Sequence, residues 1–107
     1  IIMTEAKDAK PGRIYRRTRR GPFNDYYIVP KKLTAKNFVQ RLRERGTAIS
    51  GRDQYLIHLY EKCPSLVLVQ VYMRCYDMQG NRLEVKQYAL VPPDLHFRAV
   101  KTKPGYQ

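Results

Sequence analysis

The chain has 107 residues, with 21 Lys or Arg against 9 Asp or Glu and a formal net charge of +12. That length buries one modest core, too little for two domains and more than a disulfide-dependent mini-protein needs. No apolar run exceeds four residues, Leu66 to Val69 being the clearest, which excludes a membrane-spanning helix. The two cysteines, Cys63 and Cys75, are too few for a secreted disulfide scaffold and predict thiols in a reducing, intracellular compartment.

The first segment is basic and irregular. Residues 1–20 hold seven cations (Lys7, Lys10, Arg13, Arg16, Arg17, Arg19 and Arg20) and two acids (Glu5 and Asp8). Ile1-Ile2-Met3 falls short of the apolar segment of a signal peptide. Pro11-Gly12 and Gly21-Pro22 punctuate the segment, and no sustained apolar period runs through it. It is therefore expected to be an arm, residues 1–21, that is disordered alone. The mirror-image expectation holds for a tail, residues 98–107, with Arg98, Lys101, Lys103 and Pro104-Gly105. Two thirds of the excess charge lies in these ends, outside a core domain at 22–97.

Within that core, Tyr26 to Val29 is a β-prone run stopped by Pro30 and predicts a strand. Thr34 then offers an N-cap oxygen, with Leu33 and Phe38 spaced as a hydrophobic staple. Ala35, Phe38, Val39 and Leu42 form one apolar stripe, so a helix is predicted over 35–45, closed by Gly46. Ser50 with Asp53 opens a second helix, whose apolar face is Leu56, Leu59, Tyr60 and Cys63 and which Pro64 stops.

From Leu66 the period becomes two. Val67, Val69, Val71, Met73 and Cys75 share one face and Leu68, Gln70, Tyr72, Arg74 and Tyr76 the other. A second alternating run, Arg82 to Val91, makes a hairpin with the first. The loop Met78-Gln79-Gly80 fixes its register, pairing Asp77 with Asn81, Cys75 with Leu83, Met73 with Val85 and Val71 with Gln87. On the other face the same register sets Arg74 beside Glu84, Tyr72 beside Lys86 and Gln70 beside Tyr88. One further strand is expected, at Arg13 to Thr18 or at Leu95 to Val100. The fold class that follows is a small single-domain α+β protein, an antiparallel sheet with a long C-terminal β-hairpin packed against two helices, and basic terminal arms. The helices are expected on the valine-rich face of the hairpin, leaving the opposite face open.

Charge with aromatics is the main functional signal. Lys and Arg neutralise phosphates, and tyrosine rings stack on unpaired bases. Three patches combine these residues. The arm carries Arg13, Arg16, Arg17, Arg19 and Arg20, five arginines in eight residues, continued at the other end by Lys101 and Lys103; such segments fold on binding RNA. The outer surface of the first helix and its approach carry Lys31, Lys32, Lys36, Arg41, Arg43 and Arg45. The hairpin face expected to be open carries Tyr72, Arg74, Tyr76, Lys86 and Tyr88.

Catalytic signals are poor. His58 and His96 sit in no recognisable nucleophile or base motif, the acids are scattered singly, and there is no Gly-rich phosphate loop. His58, Cys63, Cys75 and His96 lack the close spacing of a zinc site, so neither metal nor cofactor is expected. The passage Tyr27-Ile-Val-Pro-Lys-Lys-Leu-Thr34, followed by Phe38-Val39 and Arg41-Leu-Arg-Glu-Arg45, resembles the strand-to-helix passage of autophagy ubiquitin-like modifiers over less than a fifth of the chain. The paired helices that precede it in those proteins have no counterpart here, and no function is carried over.

The leading expectation is a non-enzymatic RNA-binding component of a ribonucleoprotein assembly, the ribosome among the candidates. Its partners would be nucleic acid, RNA favoured over DNA, and other proteins of the assembly, with no membrane. A DNA-binding or replication-associated protein is the alternative, with its two helices read as a helix-turn-helix. An interaction subunit for an acidic protein, and a small basic nuclease, are further alternatives.

Overall fold

The computed structural model describes residues 3–16 and 26–100, with the backbone alone at 26 and 73–75. One antiparallel sheet holds β1 (Met3–Glu5), β2 (Tyr15–Arg16), β3 (Tyr26–Pro30), β4 (Val67–Tyr76), β5 (Arg82–Val91) and β6 (His96–Ala99). The spatial order is β1-β6-β2-β3-β4-β5. Two helices, α1 (Ala35–Arg43) and α2 (Gly51–Lys62), link β3 to β4. The protein is thus a small single-domain α+β fold.

Local chemistry sets the element ends. Thr34 Oγ1 accepts from the Asn37 N–H at 3.2 Å, and Ser50 Oγ accepts from the Asp53 N–H at the same distance. Each bond satisfies an otherwise orphaned first-turn donor. After α1 the chain passes Gly46, whose φ of +59° suits glycine, into a short 3-10 turn at Gly46–Ala48. All four predicted stripe residues of α1 are buried. On α2, Leu56 is buried and Leu59 and Tyr60 pack partly against it. Cys63 departs from the predicted face: it is exposed, its Sγ 3.4 Å from Ser65 Oγ, because the helix ends at Lys62 and the chain turns away.

The hairpin register is the predicted one, running without a bulge from Val67 opposite Val91 to Tyr76 opposite Arg82. The Asp77 N–H donates to the Asn81 carbonyl at 2.9 Å, and Gly80 closes the loop at φ +84°. Asp77 Oδ1 accepts from the N–H groups of Gln79 and Asn81 at 2.9 and 2.8 Å. These bonds favour the charged carboxylate, the Asn81 backbone bond most of all, and hold its pKa below the usual aspartate value.

Two expectations are corrected. The first concerns which face of the sheet the helices cover. They pack on Leu68 and Leu90, the face shared by Gln70, Tyr72 and Tyr88, and form one core with Ala35, Phe38, Val39, Leu42 and Leu56. The valine face instead meets a second core, in which Val69, Ile28, Tyr15, Phe97 and Ala6 are buried with Val67, Val71, Ala89 and Val91 around them. Residues from both ends of the strand order meet there, so the sheet curls, with the helices on its outer face. Both faces of the hairpin base are apolar, so either could receive a layer.

The second correction concerns the arms. Met3–Glu5 and Tyr15–Arg16 belong to the sheet: β1 pairs with β6, and β2 fills the gap between β6 and β3. Where one further strand is expected, at 13–18 or at 95–100, both places carry one, β2 and β6. One inward residue is enough for so short a strand: Tyr15 is buried on Phe97, ring centroids 5.9 Å apart. Its hydroxyl accepts from the Lys10 N–H at 3.0 Å. Arg17, Arg19, Arg20, Lys101 and Lys103 lie outside the described residues.

Candidate functional site

Directly opposed residues in antiparallel strands point to the same face. Following the pairs across the sheet gives one uninterrupted row on the outer face: Met3, Arg98, Arg16, Tyr27, Tyr72 and Lys86, one residue from each of the six strands. With strands about 4.8 Å apart, Arg98 and Lys86 mark the ends of a span of about 19 Å. The row holds three cations and no acid. It runs about 13 Å along the strands from Leu68 and Leu90, where the helices pack, since four residues separate it from them at about 3.3 Å each.

The adjoining row, Val29, Gln70 and Tyr88, lies between this line and the helices. Gln70 is only 5% exposed, and its Oε1 accepts from Lys31 Nζ at 3.4 Å and from the Tyr72 hydroxyl at 3.2 Å. Lys31 Nζ lies 6.0 Å from the Tyr88 ring centroid and Lys86 Nζ 5.5 Å from that of Tyr72, both within the range of a cation–π attraction. Tyr88 also packs on Phe38, centroids 5.0 Å apart, and its carbonyl accepts from Arg52 Nη2 at 2.7 Å. The expected stacking rings are therefore largely engaged within the chain. Tyr27 is buried, and of the three hairpin tyrosines Tyr76, 71% exposed near the tip, has the most open ring, with Tyr88 38% exposed.

The acids lie off the row. Glu5 is next to it on β1, with Lys7 Nζ at 3.2 Å and His96 Nε2 at 3.9 Å. The Lys7 bond to Glu5 raises the lysine pKa. Glu84 is opposite Arg74 in the adjoining pair, where only the arginine backbone is described.

The helical patch is less available than its composition implied. Arg43 Nη2 is 2.8 Å from Glu61 Oε1 and Arg45 Nη1 3.3 Å from Asp53 Oδ2, so α2 neutralises the last cation of α1 and the one just beyond its end. Lys36 and Arg41 remain exposed on α1 and Lys32 before it, while Arg13 is exposed ahead of β2. The structure thus brings together Arg16, Tyr72 and Lys86 of the expected residues, with Tyr88 and Lys31 beside them. It separates these from Lys32, Lys36, Arg41, Arg43 and Arg45. Sequence reasoning missed Tyr27 and the position of Arg98; their signal was the alternation around Tyr27-Ile28 and Phe97-Arg98, which becomes a site only once β6 and β2 are paired.

Among the described residues, no helix is long and apolar enough to cross a membrane and no three His, Cys, Asp or Glu side chains gather. The chain matches no protein-family model, no curated protein and no solved structure.

Proposed function

We propose that the protein is a non-enzymatic RNA-binding component of a ribonucleoprotein assembly and that the outer sheet face is where RNA lies. The observation that carries this reading is the acid-free row of Arg98, Arg16, Tyr27, Tyr72 and Lys86, aligned by strand register. Its cations would neutralise successive phosphates, with the net charge of +12 drawing the polyanion to the surface. Because the rings of Tyr72 and Tyr88 already meet Lys86, Lys31 and Phe38, binding on this face is led by phosphates, and Tyr76 offers the most open ring for base stacking. A broad sheet face suits a single strand or the shallow minor groove of RNA. Both helices are anchored through their apolar stripes, and Arg43 at the end of α1 and Arg45 just after it are paired with α2, which disfavours a groove-reading helix. The exposed thiol of Cys63 suits a reducing compartment.

The test is fluorescence anisotropy with matched single- and double-stranded RNA and DNA over a salt series. The reading expects tighter binding to RNA and a steep linear fall of log affinity with log salt. Equal affinity for DNA would redirect it to the DNA-binding alternative; weak, salt-indifferent binding to all four would remove it.

A further inference from the structure

Strand β5 is the last in the sheet order and, among the described residues, has no strand beyond it. Ten residues long, it contains no Pro and no bulge, two of the devices that keep an edge from pairing. Its open backbone groups can be assigned. Asp77 donates to Asn81, so odd-numbered pairs along the hairpin exchange hydrogen bonds and even-numbered pairs do not. Two further bonds agree: the Leu68 carbonyl turns to Lys31 on the β3 side, and the Tyr88 carbonyl turns out to Arg52. The N–H and C=O groups of Glu84 and Lys86, the residues on either side of Val85, therefore point away from β4.

We propose that this edge is closed by a second copy of the chain, β5 pairing antiparallel with β5 about a two-fold axis at Val85. The side-chain order selects that register. Centred on Val85, Glu84 of each copy is opposite Lys86 of the other, giving two opposite-charge pairs on the outer face. On the inner face Val85 meets its own symmetry mate, flanked by Leu83, which is 44% exposed in the single chain. Centring on Glu84 would oppose the two glutamates and set Arg82 against Lys86, and centring on Leu83 would run the ladder into the Asp77–Asn81 turn. The other edge, β1, has only three residues and cannot match this length, whereas an isologous β5 pair closes on itself. The proposal stands independently of RNA binding, and its test contains no nucleic acid.

Sedimentation velocity on the full chain at rising concentration should show a monomer–dimer equilibrium. Glu84→Lys and Lys86→Glu should each weaken it at least tenfold, and the double swap should restore it, with circular dichroism reporting the fold of each variant. In a Cys63→Ser/Cys75→Ala background, Val85→Cys should form a disulfide-linked dimer on mild oxidation, because a non-hydrogen-bonded pair has Cα atoms about 4.5 Å apart. Leu83→Cys should not, its symmetry mate lying about 13 Å away. A wild-type chain that stays monomeric, a double swap that fails to restore association, or cross-linking through Leu83→Cys in place of Val85→Cys overturns the proposal.

Discussion

The two halves of the β4–β5 hairpin share one alternating pattern and reach different environments. At the base, Val67 to Val69 with Ala89 to Val91 is covered on both sides, by the helices over Leu68 and Leu90 and by Phe97, Tyr15 and Ala6 over Val69. Toward the tip, Tyr76 and Leu83 are exposed and Lys86 stands in solvent. The difference teaches that alternation decides which side chains share a face, while the layers stacked on that face decide whether it is core or surface. The base holds the fold together, and the tip half, with the cross-sheet row at its root, is left on the surface.

Substitutions that break this contrast have the largest expected effects. Phe97→Ala should lower unfolding free energy by about 3–5 kcal/mol and Leu68→Ala by about 2–5 kcal/mol, measured by urea denaturation. Leu83→Ala in the tip should cost less than about 1 kcal/mol; similar losses for Leu68 and Leu83 would erase the distinction between base and tip. Gly80→Ala should cost about 1–2 kcal/mol in the same assay, because an L-residue is strained at that φ of +84°. Thr34→Ala, which removes the α1 cap without touching the sheet, should cost about 1 kcal/mol.

The smallest effect is a pH dependence in the turn. The folded Asp77 carboxyl titrates below its ordinary value, so its contribution is fully present above the usual carboxylate range. It is lost as pH falls through the folded pKa. The stability difference between wild type and Asp77→Ala should therefore shrink on acidification, and a difference that grows would contradict the capping role.

Much of the fold was legible because local rules agreed. Thr34 and Ser50 announced the helix starts, Gly80 and the three-residue loop set the hairpin register, and Ala35, Phe38, Val39 and Leu42 marked a buried stripe. The choice of covered face was not legible, since Leu68 and Leu90 make the base apolar on its second face as well. Nor were the terminal strands fully readable: β2 is held by a single inward ring, Tyr15, amid arginines whose charge reads as a solvated arm. The site inherited both difficulties. Tyr72 and Lys86 were legible as neighbours from the hairpin alone, whereas Arg98, Arg16 and Tyr27 join them only through non-local pairing of β6, β2 and β3.

The most direct test of the outer face is the salt dependence of RNA binding after its arginines are removed. Arg16→Ala/Arg98→Ala lies at least three strands from β5 in the sheet order, so it leaves the proposed pairing edge intact. If the row holds phosphates of single-stranded RNA, the double variant should bind more weakly, its salt slope reduced by about 1.4, two contacts at about 0.7 each. Lys36→Ala/Arg41→Ala on α1 should leave the slope unchanged. The reverse, a slope lost with the α1 pair and kept with the sheet pair, would contradict the account.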